Sequence, residues 1–168
     1  MTVHDFKKSL ALSAEQADAP WWEEVYRGAF HNFAGMTCVR NDGWAQRGGI
    51  DRVIILESGK SLTVDEKVRA EDWPDILLEY YSSWEHRTPG WVAKDLACDY
   101  IAYAFIPSQT CYLLPFPQLR KAWRDNCLSW TKIHPRIEAK NEGYTTVACA
   151  VPIDALMAAI SQASVIKW

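Results

Sequence analysis

The sequence predicts an α/β protein with a mixed central β-sheet flanked by helices, and three observations carry that expectation. Two β-branched runs, Ile50–Leu56 and Ser61–Arg69, flank the short stretch Glu57-Ser58-Gly59-Lys60, which is a hairpin signal. Ahead of them, Trp21, Trp22, Val25, Tyr26, Ala29, Phe30 and Phe33 recur at helical spacing and make one wide apolar stripe. Behind them, further strand-like and helix-like segments follow one another in an order that suits a sheet covered by helices.

The elements can be justified in turn. A helix is expected from about Ala19 to Phe33, with Asp18 as N-cap, Pro20 in the first turn and Gly35 ending it. A short extended piece, Met36–Arg40, and a turn-rich stretch, Asn41–Gly49, lead into the hairpin. A third strand is expected over Ile76–Ser82, then a loop from Trp84 to Gly90 and a short helical turn near Ala93–Ala97. The strands Tyr100–Ile106 and Thr110–Leu114 are joined by Pro107-Ser108-Gln109, again of hairpin length. A helix should run from Pro117 to about Ser129, carrying Arg120, Lys121 and Arg124 on its polar side. A strand over Thr145–Val151 and a helix from Ile153 to about Ala163 complete the chain, with Pro152 at their junction.

Composition narrows the function classes. The 168 residues fit a single domain, 1–168, with no repeat, low-complexity tract or linker to divide it. The longest apolar runs fall far short of the roughly 18 residues of a membrane span. The N-terminus, with His4, Asp5, Lys7 and Lys8, lacks the apolar segment of a signal peptide, so no membrane partner and a cytoplasmic location are expected. Five scattered cysteines without C-x-x-C spacing argue for reduced thiols over a disulfide framework or a zinc site. A net charge of −3 lacks the basic surplus of a tight, non-specific nucleic-acid binder, although a catalytic cleft needs only a local positive surface. No G-x-S-x-G, P-loop or dinucleotide fingerprint is present.

The chemistry-bearing residues lie in the hairpin. Folding the two runs about Ser58-Gly59 sets Asp51 across from Asp65, or one residue off. Directly opposed residues have Cβ atoms about 4.5–5.5 Å apart, and Lys67, two residues beyond Asp65, projects from the same face. Facing like charges destabilise a sheet, so something should neutralise them. A hard cation such as Mg²⁺ or Mn²⁺ would do so through oxygen ligands, and it would also polarise a phosphoryl oxygen and lower the pKa of a bound water. Lys67 could then stabilise charge on the phosphorus oxygens. The plainer alternative is an exposed hairpin carrying a surface ion pair worth about 0–1 kcal/mol.

The pattern Gly49-Ile50-Asp51, an apolar strand, a turn and Val64-Asp65-Glu66-Lys67-Val68-Arg69 resembles the core motif of the PD-(D/E)XK nuclease superfamily. The resemblance spans about residues 19 to 115, with Gly49-Ile50 where a proline often precedes the first acid. It implies a restriction-endonuclease-like core, α-β-β-β-α-β, with a C-terminal helix and strand as elaboration, in a phage or mobile-element context. It implies Asp51, Asp65 and Lys67 as catalytic residues of a divalent-metal-dependent nuclease. Metal ligands would be Asp51, Asp65, Glu66 and an acid on the upstream helix: Glu24 suits the spacing to Arg40, Glu23 the edge of the stripe.

Mg²⁺ or Mn²⁺ is the implied cofactor and nucleic acid the implied partner, DNA ahead of RNA, with a homodimer or a partner protein as further assembly. Arg47 and Arg69, near the motif's ends, are the expected substrate-binding residues. Glu79, within an apolar run, is either a further ligand or a solvent-facing edge residue. The competing function is a catalytically silent protein of the same fold that binds nucleic acid or another protein. A third class is an interaction protein using a tryptophan-rich surface, since there are nine tryptophans.

Overall fold

The computed structural model describes residues 6–168, with side chains from residue 11 onward. His4 and Asp5 of the N-terminal reading lie outside the described residues, as do the side chains of Lys7 and Lys8. The described residues form five helices and ten strands in two sheets, an α/β fold. By internal contacts the chain divides into two compact units, one built of Ser9–Asp72, Leu96–Phe116 and Gln162–Trp168, the other of Trp73–Asp95 and Pro117–Ser161.

The first unit holds a mixed six-stranded sheet. Its strands are β1 (Phe33–Cys38), β2 (Arg52–Leu56), β3 (Ser61–Arg69), β6 (Tyr100–Phe105), β7 (Thr110–Pro115) and β10 (Ser164–Lys167), ordered β1-β2-β3-β6-β7-β10. Every pairing is antiparallel except β3 with β6, which is parallel in the register Asp65↔Ile101 and Lys67↔Tyr103. Period-2 alternation divides β3 between two environments. Leu62, Val64, Glu66 and Val68 are buried beneath helix α2 (Trp21–Ala29), where the apolar ones join a core with Trp22, Val25, Tyr26, Ile54, Ala102, Ala104 and Leu113. Asp65, Lys67 and Arg69 alternate with them onto the other face. Each large apolar side chain removed from water there contributes about 1.5–3 kcal/mol. Trp21 adds a stacked contact to Trp168, ring centroids 4.5 Å apart.

Several boundaries differ from expectation for identifiable reasons. Helix α2 starts at Trp21 with Pro20 as N-cap, so Asp18 does not cap it. It ends at Ala29 because Phe30 turns extended, at φ −124°, and Phe33 then opens β1; Gly35 sits at an irregularity of that strand. The stretch expected as turn holds a short helix, α3 (Gly43–Gly48). The side chain of Asp42 caps it by accepting from the N–H groups of Trp44 (2.8 Å) and Ala45 (3.1 Å). Gly49 closes it at φ 68°, a left-handed conformation that favours glycine. Helix α1 (Phe6–Glu15) was not foreseen either.

The second unit holds a four-stranded antiparallel sheet ordered β5-β4-β9-β8, from β4 (Asp75–Ser83), β5 (Thr88–Pro89), β8 (Arg136–Asn141) and β9 (Tyr144–Pro152). The strand expected over Ile76–Ser82 therefore belongs to this sheet and not to the hairpin's. Helix α4 (Phe116–Ile133) packs here, with Trp123 stacked on Tyr80 at 5.4 Å and the Cys149 thiol donating to the Trp130 carbonyl at 3.5 Å. A Cβ on Gly90 would lie 2.3 Å from the Glu79 carbonyl oxygen, so only glycine fits that approach. Helix α5 (Ile153–Ala159) is shorter than expected, because the chain extends at Ile160 and goes on to form β10.

The implied α-β-β-β-α-β order is met only in part. Helix α2 and the antiparallel run β1-β2-β3 follow it, but between β3 and β6 the chain carries β4 and β5, and the segment Ala93–Ala97 is turn and coil. No helix of the described residues is long and apolar enough to cross a membrane.

Candidate functional site

The site is built where the β2–β3 ladder stops. The last regular pair is Arg52↔Val64. Asp51, one residue further out, donates its N–H to the Val64 carbonyl (2.9 Å), and its side-chain Oδ2 accepts the N–H of Glu66 (2.8 Å). The carboxylate thus takes over a bond that a ladder carbonyl would otherwise make. It is held beside β3 at the level of Asp65.

Asp65 is nine-tenths buried and more, with a side chain only 6% exposed. Its two oxygens accept from the Lys67 ammonium at 2.7 and 2.9 Å, and its carboxyl also meets that of Asp51. Burial pushes the Asp65 carboxyl up to about 7; the Lys67 ammonium pulls against this, and the neighbouring Asp51 carboxylate adds a further push. Two carboxyl groups and an amine therefore share one place on the unit's sheet. Burial also pushes the Cys98 thiol up to about 12, with Asp65 adding to the effect, so this cysteine is a protonated neighbour and not a nucleophile.

Glu66 has a different environment. Its fully buried carboxylate accepts from Tyr26 Oη (2.8 Å), Arg52 Nε (2.5 Å) and Nη2 (3.2 Å), and Arg40 Nη2 (3.1 Å). Arg52 also donates to the carbonyl of Ala17. Burial, with the Glu66 charge beside it, holds the Tyr26 phenol well above its usual pKa, so it serves as a neutral donor. These partners consume Glu66, which faces α2 and not the Asp51–Asp65 pair. Glu24 is exposed on α2, the helix that covers the Glu66 side of the sheet, and Glu23 is exposed beside it, paired with Arg27 at 2.6 Å. Neither helix acid is brought to Asp65 by any contact, and no group of three or more His, Cys, Asp or Glu side chains is placed to hold a metal among the described residues.

Arg69, two residues beyond Lys67, is half-buried and donates through Nη1 to the Tyr103 hydroxyl at 3.2 Å. Arg47 is exposed on α3, the turn that delivers the chain to Asp51. Glu79 belongs to the other unit, where its Oε1 accepts the N–H of Trp91 at 3.3 Å.

Sequence reasoning missed Arg40 and Arg52. Arg40 bridges the two sides of β3, with Nη2 3.4 Å from Asp51 Oδ2 and 3.1 Å from Glu66 Oε2. Its Nε is buried without a hydrogen-bond partner. Arg52 carried a detectable signal, since period-2 alternation puts it on one face with the apolar Ile54 and Leu56, both buried, and a charge there needs a counter-charge. Arg40 had none, because its two partners lie 11 and 26 positions ahead in the chain. No protein-family model matches this chain, and no curated protein or solved structure matches it.

Proposed function

We propose that the protein is a divalent-metal-dependent nuclease of the PD-(D/E)XK kind, hydrolysing phosphodiester bonds of nucleic acid, with DNA the first substrate class. The observation that carries this reading is the contact of the buried Asp65 carboxyl with the partly buried one of Asp51, with Lys67 on Asp65. Folding gains nothing from two acids in contact, so the pair is best explained by a cation they serve. The donor set fits Mg²⁺ or Mn²⁺: such ions are commonly held by one or two carboxylates, with waters and substrate phosphates filling the remaining positions. Asp51 would offer Oδ1, its Oδ2 being engaged by Glu66 N–H, and Asp65 would offer an oxygen shared with Lys67. Glu24 and Glu66 are not needed for this set.

A bound ion would supply Lewis acidity at the phosphoryl oxygen and a water of lowered pKa. The chain's own groups do the rest. Lys67 carries the positive charge that opposes charge building up on the phosphorus oxygens, and Arg69 and Arg47 hold flanking phosphates. The helix-then-three-strand order and the parallel β3–β6 pair support a restriction-endonuclease-like core, while the missing helix between those strands marks this chain as a departure from it. The placement of Glu24 and Glu66 away from the pair favours, as the second reading, a silent module of this fold that binds nucleic acid or a protein.

The test is cleavage of single-stranded, double-stranded and branched DNA and of RNA with Mg²⁺ or Mn²⁺. Chelator should abolish cleavage, and Asp65→Asn and Lys67→Ala should each lower turnover by about a hundredfold or more. Silence on every substrate would leave the binding module; a Lys67→Ala protein as active as wild type would mean that the activity is not this chain's.

A further inference from the structure

We propose that the tip of the β4–β5 hairpin, where Arg87 lies on Trp84, binds the unpaired nucleotides of a single-stranded nucleic acid. The site is built wholly of residues of the second unit and uses neither Asp51 nor Asp65, so binding there requires neither a cation nor cleavage.

The backbone marks the tip first. Between the paired residues Ser83 and Thr88 the chain turns through Trp84-Glu85-His86-Arg87, closed by the Arg87 N–H donating to the Trp84 carbonyl at 3.3 Å. Arg87 has φ 53°, a left-handed conformation that glycine adopts freely and arginine does not. The side chain so placed has its guanidinium carbon 3.8 Å from the centre of the Trp84 ring and 5.7 Å from that of Tyr81. An exposed cation–ring contact returns no more than a left-handed arginine costs, so folding alone gives no reason to prefer arginine to glycine here. The tip is also held in place: the Trp84 N–H donates to the Thr145 carbonyl at 2.8 Å, and Glu85 Oε2 accepts the Thr145 N–H at 2.7 Å. A ligand would meet a surface that is already ordered.

The chemistry at the tip fits a nucleotide. Tyr81 and Trp84 are half-buried and meet edge to face with centroids 5.1 Å apart, and a second guanidinium, that of Arg136, lies 4.4 Å from the Trp84 ring. The acids close by are engaged: Glu138 accepts from Arg136 Nε at 2.7 Å, and Glu85 is bound to Thr145. Arg87 is exposed, and among the described residues no acid forms an ion pair with it. Its charge is therefore left for an anion, beside aromatic rings. A fitting ligand carries a flat ring and a negative charge side by side, and a single strand repeats that combination at every nucleotide. A base can stack on the guanidinium and its neighbouring rings while the edge N–H groups of Arg87 reach the adjoining phosphate. In a duplex the base faces are stacked on one another, so only phosphates would be left to bind.

The experiment measures the fluorescence anisotropy of end-labelled oligothymidylate and oligouridylate on the purified full chain, against a duplex and an abasic strand of the same length, all in chelator. Chelator keeps any cation out of the measurement, so failure here leaves the nuclease reading standing, and failure of cleavage leaves this one. At least one of the two single strands should bind about tenfold more tightly than the duplex and the abasic strand. Arg87→Gly should weaken that binding by about fivefold or more, while the melting temperature holds or rises because glycine relieves the left-handed strain. An arginine kept only for structure would give the reverse, unchanged binding with a lower melting temperature. The proposal is overturned if neither single strand binds more tightly than the duplex and the abasic strand, or if Arg87→Gly binds as wild type does. Silence toward every oligonucleotide would overturn it in favour of a surface that docks a protein.

Discussion

Asp65 and Glu66 are consecutive acids on one strand, both buried, and the chain treats them in opposite ways. Glu66 looks toward α2 and is met by a phenol and two guanidiniums, so its charge is fully compensated. Asp65 looks the other way, meets a second acid as well as an amine, and has its carboxyl pushed up to about 7 by burial, against the pull of Lys67. A buried acid with a closed shell of donors is part of the architecture. One that is left facing another acid is a cost to folding, and such costs concentrate where a ligand is bound.

The comparison can be broken most severely at Glu66. Replacing it by Ala leaves Arg52 without its counter-charge and Arg40 with Asp51 alone, and removing one partner of a buried pair costs about 3–5 kcal/mol. Urea unfolding should show that loss. A change below about 1 kcal/mol would mean that the network is better solvated than its burial implies, and Glu66 would then be no different from a surface acid.

Asp65→Asn should act with the opposite sign on stability while removing activity. It relieves the desolvated charge and the contact with Asp51, at the expense of the Lys67 pair, for a net gain on the order of 1–2 kcal/mol at neutral pH without metal. The pH dependence follows from the raised pKa. Between the ordinary carboxyl value of 3.8 and about 7, the folded wild type holds a proton that the unfolded chain has released. The associated stability is full below that window and is lost as pH rises through it, with no further loss above. Thermal melts in chelator across that range should show the decline in wild type and a flatter profile in Asp65→Asn. Parallel profiles would place the titration on another group.

The smallest effect sharpens the lesson. Glu23 and Arg27 are closer, at 2.6 Å, than Arg40 is to either of its acids, yet both are about half-exposed on α2. Glu23→Ala should change stability by no more than about 0.5 kcal/mol in urea unfolding. A larger loss would mean that pairing distance, and not desolvation, sets the energetics of ion pairs in this protein.

How much of this was legible beforehand differs by element. The β2–β3 hairpin was readable because period-2 alternation and a short Ser-Gly turn fix register locally, and that register put Asp51 beside Asp65. Helix α3 was readable in principle, since Asp42 and Gly49 are ordinary start and stop signals, but the surrounding glycines read as turn. The strand β8 carries the alternating Arg136, Glu138 and Lys140 of an edge, and β10 is too short to announce itself.

By itself the sequence determined an α/β chain, the amphipathic stripe of α2, and the hairpin whose spacing brings Asp51, Asp65 and Lys67 to one place, because each follows from interactions a few residues to about fifteen residues apart. Only the tertiary structure decided that Glu66 is spent on Tyr26, Arg40 and Arg52, that Ile76–Ser82 joins a second sheet, and that Arg40 stands against Asp51. Those outcomes depend on which faces are buried against which, and on partners as far apart in the chain as Tyr26 and Glu66 or Ile76 and Val151, where no local propensity reaches.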